Sequence, residues 1–249
     1  MNTAWLTLSK ERRIEILNQA TALTGLPAIA IEKDWWVTLC LKASFFLPYS
    51  KHIVFKGGTS LSKGWDLIER FSEDIDLAID RRFFGFEGDI SKTQIGKLRK
   101  QLNFPNLDFA TDPFAIPTVL PQRTFLEKIF LLHEEFSQEP DKIRIDRLSR
   151  HLYDLERLMD TPHGITALQD KVLYNNIVAH REKFNPLRGL DYATHTPETI
   201  KIIPPDTVLK EYEVDYLEMT KFMIYGESLN FNDLLSRMTE LQNRINNLR

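Results

Sequence analysis

Asp74 and Asp76 stand one residue apart in the run Asp74-Ile75-Asp76-Leu77-Ala78-Ile79-Asp80. A period of two places Ile75, Leu77 and Ile79 on the core face of a strand and the two carboxylates together on the other. Their Cα atoms then lie roughly 6.5–7 Å apart. The oxygens can converge on one Mg²⁺, or on two ions about 3.5–4 Å apart, as in-line phosphoryl or nucleotidyl transfer requires. Upstream, the apolar run Ile53-Val54-Phe55 reads as a strand stopped by Gly57-Gly58, since glycine accepts positive φ and close backbone approach. Thr59, Ser60 and Ser62 follow where a helix would begin. Their hydroxyls and the backbone N–H groups are expected to face outward, so that Gly57, Gly58, Thr59, Ser60 and Lys63 form an anion site for a nucleotide phosphate.

A GG turn is common, and an alternating D-x-D strand is often a half-exposed edge. The order strand, GG-hydroxyl loop, helix, D-x-D strand is far more specific. It resembles the first motif of the DNA polymerase β-like nucleotidyltransferase superfamily. Within it, GGTSLSKGW…RFSEDIDL resembles the AbiEii/AbiGii toxin family of bacterial abortive-infection and toxin–antitoxin systems. EKDWW (32–36), SRHLYDL (149–155), DYLEM and the terminal FNDLLSRM…RIN are also similar to that family. Physically, Glu32, Lys33 and Asp34 read only as a first-turn charge cluster, and the tryptophans as core or groove.

The elements that must position these residues follow from composition and periodicity. With 43% hydrophobic and 27% charged residues, the 249-residue chain reads as an ordinary globular protein of one large or two modest domains. The 32 basic and 35 acidic residues leave a charge of −3, so RNA contact would need a local basic face. The lone Cys40 excludes an internal disulfide and reads as a core thiol in a reducing compartment. No cleavable signal and no membrane-length apolar run is evident, so a cytoplasmic location with no membrane partner is expected.

Ser9 or Thr7 should cap a first helix, with Ile14, Leu17 and Leu23 inward and Gly25-Leu26-Pro27 ending it. A second, about 30–46, carries Ile31, Trp35, Leu39 and Cys40 or Ala43 at helical spacing. After the D-x-D strand come a glycine-punctuated loop (81–88), a basic helix over about 91–101 and a proline-rich stretch that could supply an edge strand. The polymerase β-like fold usually adds a third carboxylate from a neighbouring strand. Asp108 and Asp112 are the nearby acids here, and neither has a convincing strand around it.

From Thr124 the periodicity is helical. Thr124 and Glu127 read as a capping box, and Phe125, Ile129, Leu132 and Phe136 as an apolar stripe. Lys128 then falls in the first turn, where the helix dipole disfavours a cation, which points to an anionic partner. A helix over about 144–159 places Leu148, Leu152, Leu155 and Met159 inward, with Arg147, Arg150, His151 and Asp154 on one polar face. Exposed ion pairs would explain that cluster too, at only ~0.3–0.5 kcal/mol per pair. A run from Pro162 to about Phe184 ends in the basic turn of His180, Arg181 and Lys183, and helices over about 206–225 and 230–248 close the chain.

The expected fold is α/β. A small mixed sheet of the polymerase β-like nucleotidyltransferase type, flanked by helices, occupies residues 1–122. An all-helical domain over 123–249 contributes to the active-site cleft. The resemblance implies a Mg²⁺-dependent enzyme moving a nucleotide from an NTP to an RNA acceptor, with tRNA the implied target, and a separate antitoxin partner. By it, Asp74 and Asp76 hold the metal, Lys128 steadies the triphosphate or leaving pyrophosphate, and Asp154 is the late catalytic aspartate. Arg147, Arg150 and His151 are expected on the RNA backbone. The alternatives are a non-catalytic nucleotide- or partner-binding regulator derived from the same fold, and a kinase using the same metal site.

Overall fold

In the computed structural model the described residues are 4–72, 74–84, 115–184, 186–187 and 189–248. The expected basic helix (91–101), the second half of the glycine-punctuated loop (85–88), Asp108 and Asp112 lie outside them. The chain forms two compact units: Met1–Ser60 with Phe71–Val119, and Leu61–Arg70 with Leu120–Arg249.

In the first unit, α1 (Ala4–Thr7) leads into α2 (Lys10–Thr24) and α3 (Ala28–Phe45). Ser9 caps α2 by accepting the Arg12 N–H at 3.2 Å, and Gly25 ends it in the left-handed region at φ 73°. Of the three residues expected inward, only Leu17 is buried; Ile14 is 48% and Leu23 87% exposed. The inward face of α3 is Ala30, Val37, Leu41 and Ser44, while Ile31, Trp35 and Leu39 are half-buried and Cys40 is exposed, not a core thiol. A helix apolar nearly all round has no stripe from which its inner face can be read.

Strand β1 (Ile53–Lys56) pairs antiparallel with β2 (Asp76–Ile79), matching Ile53 to Ile79 and Lys56 to Asp76. Regular pairing is thus shorter than the expected 74–80. On its other side Phe55 makes a single parallel bridge with Thr118: its N–H donates to Pro117 and its carbonyl accepts from Val119, both at 2.8 Å. Among the described residues the expected mixed sheet is a two-stranded antiparallel one with one parallel bridge. Helix α4 (Gly57–Lys63) begins directly at the end of β1.

The second unit is centred on α5 (Pro121–Phe136), whose Phe125, Ile129 and Leu132 are fully buried. Helices α6 (Ser149–Met159), α7 (Pro162–Gln169), α8 (Lys171–Phe184), α9 (Leu209–Phe222) and α10 (Phe231–Asn246) complete it. The single helix expected over 162–184 breaks at Asp170, whose side chain caps α8 by accepting the Leu173 N–H at 2.8 Å. α5 buries charge as well as apolar surface: Glu134 pairs with Arg181 and His195, and Glu135 with Arg144. Arg181 and Lys183 form the expected basic last turn of α8, and Arg181 also reaches Glu134 in this unit's interior. Among the described residues no single helix is long and apolar enough to cross a membrane; α2 and α3 pass that test only as a pair bent by 107°.

Candidate active site

The D-x-D carboxylates sit where the alternation placed them. Asp74, Asp76 and Ala78 are exposed, and Ile75, Leu77 and Ile79 half-buried. Gly57 opens α4 at φ 79°, and a Cβ built on it would fall 2.1 Å from Asp76 Oδ2. Only a glycine fits there, both for its backbone conformation and because the Asp76 carboxylate occupies the side-chain space. The Thr59 hydroxyl donates to the Asp74 carbonyl at 2.5 Å, and Ser60 donates to the Gly57 carbonyl at 2.7 Å. Both residues are buried, so the expectation of outward hydroxyls is corrected: they tie the turn to the carboxylate strand. Lys63, at the end of α4, is exposed.

Asp74 and Asp76 provide hard oxygen donors, the chemistry Mg²⁺ prefers, and both are exposed. The space beside Gly57 stays open to the Asp76 carboxylate because no side chain can stand there. The residues present fit a divalent cation. Among the described residues no group of three His, Cys, Asp or Glu side chains converges.

In the second unit Asp154 is fully buried on α6. Arg70 grips it with two parallel bonds, Nε to Oδ1 at 2.6 Å and Nη2 to Oδ2 at 2.7 Å. Lys128 Nζ reaches the same Oδ2 at 2.7 Å and lies 3.2 Å from His151 Nδ1. Arg70, Lys128 and His151 are 3%, 5% and 8% exposed. Burial alone would raise the Asp154 pKa, but the Arg70 and Lys128 charges and hydrogen bonds overcome it and hold the carboxyl well below its usual range. Burial lowers the Lys128 pKa, with Asp154 opposing and Arg70 and Arg150 assisting. Burial and the Lys128 charge hold His151 neutral, well below the ordinary histidine value. Among the described residues the cluster thus brings together two cations and one anion.

Backbone pairing puts Arg70 there. Arg70 bridges Ile224, and the Glu69 carbonyl accepts the N–H groups of Tyr225 at 3.0 Å and Gly226 at 3.3 Å. A Cβ on Gly226 would fall 2.2 Å from Glu69 Oε2, so that approach also needs a glycine. Sequence reasoning missed Arg70; the one available signal was its place at the head of RFSEDIDL.

Lys128 and Asp154 are brought together, but not as the pattern suggested. α5 starts at Pro121, so Lys128 lies in its interior, not its first turn. The capping box is absent: the Thr124 hydroxyl finds no partner, and Glu127 pairs with Arg123 at 2.9 Å. α6 starts at Ser149, so Arg147 stands before it at φ 57°, off the expected polar face. Asp215 replaces a local cap there, accepting the Arg147 N–H at 2.7 Å and the Ser149 N–H at 3.0 Å. Arg147 is exposed and Arg150 half-buried. His151, neutral and buried, is a poor grip for an RNA phosphate.

A family model described as "Nucleotidyl transferase AbiEii toxin, Type IV TA system" matches residues 40–105 and 84–237. No curated protein and no solved structure matches.

Proposed function

The chain belongs to the AbiEii family of nucleotidyl transferase toxins, and from that membership we propose a Mg²⁺-dependent transfer of a nucleotide from an NTP to an RNA acceptor of the tRNA class. The observation that carries this reading is the fit of Gly57 against Asp76, which keeps the start of α4 pressed to the carboxylate strand. Asp74 and Asp76 would hold the metal, which when bound neutralises charge building on the transferred phosphoryl group. Gly57 and Gly58 offer backbone N–H groups to the NTP phosphates, and Lys63, exposed at the end of α4, a cation.

In the second unit Lys128 supplies the fixed positive charge for the triphosphate and the departing pyrophosphate. In the reaction an acceptor hydroxyl gives its proton to solvent water and attacks the α-phosphorus, the bond from that phosphorus to the α–β bridging oxygen breaks, and pyrophosphate leaves with the electron pair. Asp154 is suited to positioning, not to taking the hydroxyl proton. A carboxylate held this far below its usual range by two cations is a weak base. Arg147 and Arg150 are the side chains for an RNA backbone. The family's type IV toxin–antitoxin description implies an antitoxin partner.

Incubation with α- or γ-labelled NTPs, Mg²⁺ and total RNA tests the reading. α-Label in RNA supports it. γ-Label in protein would indicate a kinase, and no label in either the non-catalytic regulator.

A further inference from the structure

We infer that Arg70 is a positioning residue that keeps the Lys128 charge available to a substrate polyphosphate, an inference resting on the role proposed for Lys128. Among the described residues two cations and one anion are buried together, and the excess is positive. Asp154 faces Lys128 as its acidic partner; Arg150 adds further positive charge, and His151 is neutral.

Without Arg70, Asp154 and Lys128 would form a closed neutral pair, and the ammonium would offer an anion little net attraction. With Arg70, both Asp154 oxygens are engaged by a fork whose geometry matches the carboxylate. The negative charge is shared between two cations, so about one positive charge is left over in a site where solvent screens weakly. A polyphosphate is the ligand class that such a residual charge favours. The backbone bridge to Ile224 fixes the guanidinium beforehand, so the arrangement does not depend on substrate.

The same arithmetic says which variants fold. Arg70→Met leaves the neutral Lys128–Asp154 pair, and Arg70→Lys keeps the charge while losing the fork. The test is binding of inorganic triphosphate to the full chain by calorimetry, without RNA, with circular dichroism to check folding. Arg70→Met should bind roughly ten- to a hundredfold more weakly than wild type, the size of a lost charge-assisted contact. Arg70→Lys should recover most of that affinity, which a purely structural role for the fork would not allow.

In steady-state transfer the Arg70→Met loss should appear mainly in KM for NTP. Binding by Arg70→Met within twofold of wild type, an equal loss in Arg70→Lys, or no triphosphate binding by wild type would each overturn the inference. Should Arg70→Met fail to fold, the comparison of Arg70→Lys with wild type decides on the same terms. Wild type that binds triphosphate but labels no RNA sinks the transferase reading and leaves this inference standing. Label in RNA together with an indifferent Arg70→Met does the reverse.

Discussion

The β2 strand and the α5–α6 cluster both present aspartates, in opposite physical states. Asp74 and Asp76 are exposed on the strand side of the first unit. Asp154 is fully buried and engaged by Arg70 and Lys128 on both oxygens. One residue type lies at the surface in one unit and serves as an electrostatic frame in the other. Exposure leaves a carboxylate free to act on what arrives, whereas burial commits it to groups already there.

Identical substitutions should therefore fail differently. Asp76→Asn is expected to lower nucleotide transfer on the order of 10³-fold, the scale of losing a positioned transition-state charge. Its thermal unfolding should stay close to wild type, because surface changes usually move stability by less than about 0.5 kcal/mol. Asp154→Asn should instead cost about 3–5 kcal/mol of stability, since it leaves two buried cations uncompensated. Urea unfolding of the two variants side by side reads the contrast. Equal destabilisation, or a stable Asp154→Asn, would erase the distinction between the regions.

Lys128→Met sharpens it from within the cluster. The Arg70–Asp154 pair that remains is neutral, so folding should survive while turnover falls by about 10²–10³-fold. A variant that folds and keeps near-normal turnover would make the cluster a scaffold only, and would favour the non-catalytic reading. Gly57→Ala is the corresponding probe of the first unit. Left-handed φ alone costs about 1–2 kcal/mol for a residue with a Cβ. The added methyl must also displace the Asp76 carboxylate, so Mg²⁺ affinity should drop along with stability. Unchanged Mg²⁺ binding in a folded Gly57→Ala would remove the argument that the glycine serves the carboxylate.

What the sequence disclosed divides along the same line. The D-x-D strand was legible because a period of two over Asp74–Ile79 is local and its outcome depends on one face alone. The Gly57 turn and the Ser9 and Gly25 caps were readable for the same reason. Lys128 and Asp154 came from resemblance, and their mutual contact could not be read, because it joins residues 26 positions apart on two helices. The local argument for Lys128 rested on a capping box, and Leu120-Pro121 began the helix earlier instead. Arg70 was invisible for a stronger reason: its partner lies 84 residues away. The polar face expected of α6 failed because periodicity says which residues share a face, not whether that face meets water. Asp154 and His151 share theirs with Arg70 and Lys128.

The last expected effect concerns acid, and it belongs to the second unit. His133 on α5 is almost fully buried, and its Nδ1 accepts the Lys201 N–H at 3.1 Å, so that nitrogen carries no proton. Burial, with His195 beside it, lowers its pKa from the ordinary 6.5 to about 4. The folded protein therefore keeps His133 neutral where the unfolded chain would take up a proton. Because the unfolded state binds more protons in that window, stability rises with pH there. The stability is present in full above pH 6.5 and is lost as pH falls towards about 4.

His151, also held neutral, acts in the same direction. One such group contributes a slope of at most about 1.4 kcal/mol per pH unit. His133→Asn keeps an acceptor for the Lys201 N–H but cannot titrate. Urea unfolding of wild type and His133→Asn at steps between pH 7.5 and 4.5 should show a shallower decline in the variant. Asp76→Asn, changed only at an exposed carboxylate, should keep the wild-type slope throughout. If His133→Asn matched the wild-type slope instead, the acid sensitivity would lie elsewhere, and buried α5 would not be where the two regions part in their response to pH.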